Sequence, residues 1–299
     1  KDVQAVIKIA NINVPIDAAD MPLEEIASKK LRINSADIKK VIILKKSIDA
    51  RKKNAIQIVY TLAAEIKNEN AVLKRNAKKP EISAYKEYRY EISAADAGKH
   101  RPVVVGFGPA GMFAALYLAK AGLCPIVLER GKPADERSKS VELFRKMGVL
   151  DTESNIQFGE GGAGTFSDGK LNTGINDPRI RYVLETFTEH GAPEDILYNA
   201  KPHIGTDYLI DVVQNIRRTI IELGGEVRFG ARFLEYETNS QGEITSVIYI
   251  QNGIHYNIET DRCILATGHS ARDVFRMLKG KKAALTQKNF AMGVRIEHL

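Results

Sequence analysis

Val105-Gly106-Phe107-Gly108-Pro109-Ala110-Gly111 decides how this chain is read. The stretch leaves an apolar run, Val103-Val104-Val105, and opens a segment of small residues that continues to Gly122. Pro125-Ile126-Val127-Leu128-Glu129 then reads as a second apolar strand. Strand, glycine turn, helix and strand make one β-α-β unit, which is the context a G-x-G-x-x-G needs before it means anything. Each part has a task. Gly106 permits a tight turn, Gly108 lets the backbone approach a pyrophosphate, and Gly111 lets helix and strand pack closely. The helix start, with Pro109 and Ala110 in its first turn, offers free amides and positive dipole to phosphate. Glu129 stands 23 residues after Gly106 and can accept hydrogen bonds from a ribose diol, which disfavours a 2′-phosphate.

Downstream, the chain does not alternate strand and helix as a simple dehydrogenase would. A helix is expected near 134–146, then a glycine-rich stretch at 159–174. Residues 207–223 (DYLIDVVQNIRRTIIEL) have helical amphipathic spacing and end at Gly224-Gly225. A strand at 226–229 precedes three short strands near 232–238, 244–251 and 254–260. A final apolar strand, 262–266, runs into Thr267-Gly268, and Arg272 and Asp273 are expected to pair on the helix beyond. This order resembles the glutathione-reductase-like FAD domain, where a three-stranded meander returns to the sheet through an Ala-Thr-Gly strand. The resemblance implies an α/β, Rossmann-like fold with FAD as cofactor. It places Ala266, Thr267 and Gly268 against that cofactor, with Arg130 beside Glu129.

Phe158-Gly159-Glu160-Gly161-Gly162-Ala163-Gly164-Thr165-Phe166-Ser167-Asp168-Gly169-Lys170-Leu171 is the second informative stretch. Five glycines in eleven residues oppose helix and strand and suit a loop laid over a flat or phosphorylated ligand. Gly161, Gly162, Gly164 and Thr165 are therefore candidate cofactor contacts, and Glu160 a loop-shaping acceptor. The stretch resembles a segment of a bacterial family of uncharacterised FAD-dependent dehydrogenases. So do Lys45–Lys53, Lys201–Asp207 and Phe290–His298, so the resemblance spans nearly the whole chain. It implies the cofactor and the fold but no established substrate; the leading expectation is an FAD-dependent oxidoreductase acting on an unidentified small molecule, with NADH or NADPH as a candidate electron donor. Lys170 is a candidate to stabilise reduced flavin and His203 to shuttle protons; Asp168 and His269 are further polar residues in similar settings.

Before this lies a different region. Residues 3–14 alternate as a strand. Asp20 and Pro22 suggest a helix start, with Asp20 as cap, and 38–47 and 55–66 read as strands around a polar turn. Residues 87–92 suggest a last strand. The expected organisation is a small α+β domain over 1–95, a linker at 96–102 and an FAD domain over 103–285. The FAD domain would carry an inserted region at 132–206, and a substrate domain would start at 286–299. Residues 1–100 hold 20 Lys+Arg against 13 Asp+Glu, whereas the rest is balanced at 24 each. An RNA-acting flavoprotein is thus carried as an alternative to the small-molecule enzyme, and a non-catalytic FAD-stabilised scaffold as a third.

Two cysteines, Cys124 and Cys263, without CxxC, argue against a disulfide framework or a dithiol centre, and both read as buried strand thiols. No metal-ligand spacing occurs. No apolar run spans a bilayer and the first residues lack signal-peptide shape, so a cytoplasmic protein with no membrane partner is expected. Related FAD domains close their site with a late strand ending in Gly-Asp, and no such pair occurs here. A further portion of chain is expected to complete the flavin half of the site.

Overall fold

The structure is a computed structural model that describes residues 6–166, 169–171, 173–289, 292–294, 296 and 298. It divides into two compact units: Lys1–Ser93 with Gly164–Arg218, and Ala94–Ala163 with Thr219–Leu299. Residues 290–296 read as strand-like in the sequence, but Met292–Val294 and Ile296 are in no strand; Phe290, Ala291 and Arg295 lie outside the described residues, as do Ser167 and Asp168.

The first unit opens with β1 (Val6–Pro15), α1 (Leu23–Leu31), β2 (Ile38–Asp49), β3 (Gln57–Ile66), α2 (Glu69–Arg75) and β4 (Ile82–Tyr85). The strands form an antiparallel sheet in the order β2-β3-β1-β4. Alternation explains it: Ile7 and Ile9 of β1 and Leu62 and Ala64 of β3 turn inward and pack with Ile26, Ala27 and Leu31 of α1. Two expectations are corrected. Pro22, not Asp20, occupies the helix N-cap, and no side chain caps it. The last strand is 82–85, not 87–92: β1 has two edges, and β3 and β4 take both, with Val6 opposite Tyr85. The stretch Glu87–Glu91 then lies outside the sheet, where Arg89 bonds back to Glu87. The outer edge of β2 receives residues 198–200: Lys46 N–H donates to Tyr198 O at 2.7 Å and Ala200 N–H to Lys46 O at 2.9 Å.

The second unit begins with β5 (Val103–Val105), α3 (Pro109–Lys120), β6 (Ile126–Leu128) and α4 (Ala134–Met147). Two helices follow, α5 (Arg179–Glu189) in the first unit and α6 (Thr206–Glu222), within which the division falls. Gly224, at φ +86°, and the bond from Gly225 N–H to Ile220 O end α6 as the glycine pair implied. The chain then forms β7 (Glu226–Arg228), β8 (Ala231–Thr238), β9 (Ile244–Gln251), β10 (Ile254–Glu259), β11 (Cys263–Leu265) and α7 (Arg272–Gly280).

A parallel sheet runs β11-β5-β6-β7, and β8, β9 and β10 form a separate antiparallel meander. β5 and β6 are uninterrupted aliphatic runs because a parallel strand of this kind is covered on both faces; all six residues are buried. Val103, Val105, Ile126 and Leu128 pack with Phe233, Val247 and Tyr249 of the meander and Val274 of α7, making one core. The cysteines meet expectation only in part. Cys124 lies in the turn after α3 at φ +45°, half-buried rather than in a strand. Cys263 is in β11, and burial pushes its thiol up to about 11, so it is a poor nucleophile at neutral pH.

Candidate dinucleotide-binding site

The carboxyl ends of β5, β6 and β11 converge on the glycine turn, where ligands of such sheets bind. Gly106 has φ +98°, and a Cβ there would lie 2.5 Å from the Ala266 carbonyl oxygen. A Cβ on Gly111 would overlap the Gly106 carbonyl and approach Ala266 Cβ at 3.3 Å. Both glycines are thus required by close packing between the turn, α3 and the end of β11. Ala266 is the surface they pack on, tied in by its N–H to Val105 O at 2.8 Å. Gly108 is different. It is the N-cap of α3, no side chain caps that end, and the nearest atom to a Cβ there would be Gly162 Cα at 3.7 Å. Pro109 and Ala110 form the first turn behind it. An uncapped helix N-terminus behind a bare backbone fits a pyrophosphate.

Glu129 follows β6 and is 4% exposed. Its Oε2 accepts from Phe107 N–H at 2.7 Å, and its Oε1 from Gly131 N–H at 2.9 Å and Gly159 N–H at 3.0 Å. A carboxylate has about four lone-pair directions, so three amides leave roughly one for a ribose hydroxyl. Sequence reasoning had assigned Glu129 to the ribose alone; in the structure it first joins the glycine turn to the 159–162 loop.

That loop is placed by Arg137, which sequence reasoning missed. Arg137 of α4 is fully buried and donates to three carbonyls: Asn155 O at 2.8 Å, Glu160 O at 2.6 Å and Ile156 O at 2.9 Å. Burial pulls its guanidinium down to about 10, with Glu129 and Glu160 opposing the shift. Glu160, also fully buried, accepts at Oε2 from Ala134 N–H at 2.7 Å, which fits the loop-shaping role expected of it. Gly161 N–H reaches Phe107 O at 2.8 Å, and Gly162, at φ +65°, lies against Gly108. Gly164 and Thr165 continue into a 3-10 turn, Gly162–Phe166, where a plain loop was expected; this turn crosses into the first unit, and Thr165 is buried.

Arg130 does not pair with its neighbours. It reaches Asp273 at 2.6 Å and lies 4.6 Å over the Phe158 ring. This corrects the expected Arg272–Asp273 pair. Burial raises the Asp273 carboxyl, but Arg130 and two backbone amides outweigh it and hold it below the usual value. Glu129, Arg130 and Thr267 line a cavity of about 30 Å³, room for little more than a water. Arg130 also borders an open cleft of about 320 Å³ with Lys132, Arg232 and Asn252. Lys132 is paired with Asp151 at 2.9 Å, whereas Arg232 has no acidic partner among the described residues. Gly268, at φ +72°, turns the chain away after Thr267.

Lys170 and His203 lie in the first unit and are brought together. They face each other in a short antiparallel bridge, flanked by Leu171 N–H to Pro202 O and Ile204 N–H to Gly169 O, and both side chains are exposed. Among the described residues no group of three or more His, Cys, Asp or Glu is arranged to hold a metal ion, and no helix is long and apolar enough to cross a membrane.

The glycine turn, the acid behind it and the meander define a dinucleotide-binding flavoprotein of Rossmann type. The chain belongs to the FAD binding domain family, whose model matches residues 100–274, and FAD is accordingly its cofactor. Residues 6–66 match a domain of unknown function. An uncharacterised protein of Clostridium beijerinckii is 48% identical over 296 residues, which is 98% of this chain and 54% of that protein. The chain thus spans about half the length of the curated relative it matches. Among solved structures, THI4 of Thermovibrio ammonificans aligns at 19% identity and a TM-score of 0.41, over 62% of this chain and 64% of that one. A 3-ketosteroid dehydrogenase of Rhodococcus jostii RHA1 aligns at 16% identity and 0.39, over 64% and 51%. The residues around Gly108 fit the adenosine-diphosphate half of FAD: a bare N-cap for the pyrophosphate and Glu129 for the ribose.

Proposed function

We propose that this protein is an FAD-dependent oxidoreductase that moves hydride between a small-molecule substrate and the flavin, with NADH or NADPH as candidate electron donor. The observation that carries the reading is the uncapped N-terminus of α3 behind Gly108, beside a buried Glu129. Bound FAD supplies the hydride chemistry; the protein supplies binding, orientation and charge. Gly106, Gly111 and Ala266 hold the turn in shape, and Arg137 holds the 159–162 loop beside it. Lys170 and His203 are proposed as the polar pair that serves the flavin half: an ammonium favours negative charge on a reduced ring, and an imidazole moves a proton near neutral pH. Their shared bridge supports treating them as one unit.

The test begins with the visible spectrum of the purified protein. Absorption near ~370 and ~450 nm is expected of bound flavin, as is anaerobic bleaching by NADH or NADPH. A protein that stays colourless after added FAD and gel filtration would sink the reading. One that binds FAD but is reduced by neither nicotinamide nor dithionite would be a flavin-stabilised scaffold instead.

A further inference from the structure

The basic character of the N-terminal region is concentrated on one hairpin. Between Ile38 and Asn54, β2 and its turn carry Lys39, Lys40, Lys45, Lys46, Arg51, Lys52 and Lys53 against a single acid, Asp49. Two of the seven cations have carboxylate partners: Lys39 with Glu65 at 3.1 Å and Arg51 with Asp49 at 2.6 Å. Lys40, Lys45, Lys46, Lys52 and Lys53 have none among the described residues. Lys40, Lys45, Arg51, Lys52 and Lys53 are exposed, and Arg51 is 88% so. Lys201, also exposed, follows the 198–200 segment that bonds to β2 at Lys46, so it joins the same edge.

Lysines on an edge strand have an ordinary use, since they block edge-to-edge pairing. That accounts for Lys39, Lys40 and Lys45 along β2. It does not account for Arg51, Lys52 and Lys53, which lie in the turn beyond the ladder, where there is no edge to protect. Asp49 does not neutralise the turn either. It accepts from the Arg51 backbone and from two guanidinium nitrogens, and these bonds bring its carboxyl down to about 2. It therefore stays ionised and fixes Arg51 in place, leaving Lys52 and Lys53 in excess. At about 3.3 Å per residue, β2 carries its cations over roughly 33 Å from Lys39 to the start of the turn. An extended row of this length matches a linear polyanion rather than a compact anion. A membrane surface is less well matched, because the row holds two exposed large apolar side chains, Ile42 at 36% and Ile48 at 69%, against seven cations.

We infer that the β2–β3 hairpin is a docking edge for the phosphate backbone of a polynucleotide. Contacts of this type are sequence-independent and strongly dependent on salt. The edge is independent of the flavin site, and its failure would leave the flavin reading untouched.

The test is fluorescence anisotropy of the purified protein with labelled single-stranded RNA and single-stranded DNA of about 25 nucleotides, from ~50 to ~300 mM salt. Wild-type protein is expected to bind, with affinity falling steeply along the salt series. The triple variant Lys45→Ala, Lys52→Ala, Lys53→Ala is expected to bind at least ~10-fold more weakly at ~50 mM salt. Its log–log salt slope should be shallower by about 2, since each lost contact to a single strand removes roughly 0.7. Equal affinity for RNA and DNA assigns pure backbone recognition; preference for RNA assigns 2′-hydroxyl contacts in addition. No binding at ~50 mM salt, or binding that the triple variant leaves unchanged while its thermal melt matches wild type, overturns the inference. So does tighter, variant-sensitive binding to anionic phospholipid vesicles or to polyglutamate than to either nucleic acid.

Discussion

Glu160 is tied twice to the helix that carries Arg137: the Arg137 guanidinium donates to the Glu160 backbone carbonyl at 2.6 Å, while the Glu160 carboxylate takes the amide of Ala134 at the start of that helix. Helix α4 and the glycine-rich loop are thereby locked before any ligand arrives. Arg137→Met removes charge-assisted donors from one buried and two half-buried carbonyls, and a destabilisation of about 3 kcal/mol is expected by urea unfolding. Arg137→Lys should recover little, since a single ammonium cannot serve three carbonyls in a plane. A Lys variant as stable as wild type would show that charge alone, not the guanidinium fork, positions the loop.

The three fingerprint glycines should separate by experiment. Gly106→Ala forces a side chain into φ +98° and against Ala266 O, so a loss of about 2–3 kcal/mol in the FAD-free protein is expected. Gly108→Ala meets only Gly162 Cα at 3.7 Å, and its φ of −75° is open to any residue. Its FAD-free stability should change by less than about 1 kcal/mol, while FAD affinity falls on the order of tenfold or more because the methyl stands where the pyrophosphate approaches. Fluorescence titration with FAD and urea midpoints read the two effects separately. Unchanged FAD affinity in Gly108→Ala would place the pyrophosphate elsewhere.

The Asp273–Arg130 pair sets a pH dependence. The folded Asp273 carboxyl lies below its ordinary value, so the pair's stabilisation is complete above the unfolded value of about 3.9 and is lost as pH falls through the lower folded value. Asp273→Asn should therefore be less stable than wild type at pH 6, and the difference should shrink toward pH 3. Urea midpoints across that range check it. A difference that grows on acidification would mean that Asp273 is held protonated rather than ionised.

That pair also marks the limit of what the sequence discloses. The β5–α3–β6 unit was legible because its causes are local: a glycine at positive φ, a proline in a first helical turn, aliphatic runs that only a buried parallel sheet explains. The partner of Asp273 was not, since Arg130 lies 143 residues away, and the sequence neighbour Arg272 projects from a different side of the helix. Arg137 was hidden for a related reason. A charged residue in an amphipathic helix reads as solvent-facing, and only the folded loop of 155–160 supplies the carbonyls that bury it. The misplaced strand at 87–92 has good alternation of its own, yet 82–85 is nearer along the chain and takes the vacant edge of β1.

Glu129 offers the sharpest test of how binding and folding share one residue. Its carboxylate accepts from the amides of Phe107, Gly131 and Gly159, so it joins the turn after β5, the turn after β6 and the glycine-rich loop. Glu129→Gln keeps shape and volume but replaces one acceptor oxygen with an NH₂ group that faces an amide donor. Whichever way the new side chain turns, at least one buried N–H loses its partner, and a cost of about 1–3 kcal/mol in the FAD-free protein is expected. A residue serving the ribose alone would behave differently: the FAD-free variant would unfold like wild type, and only the FAD titration would change. Loss of both stability and affinity is the expected outcome. A variant that keeps its urea midpoint would return Glu129 to the ribose and leave the loop held by Arg137.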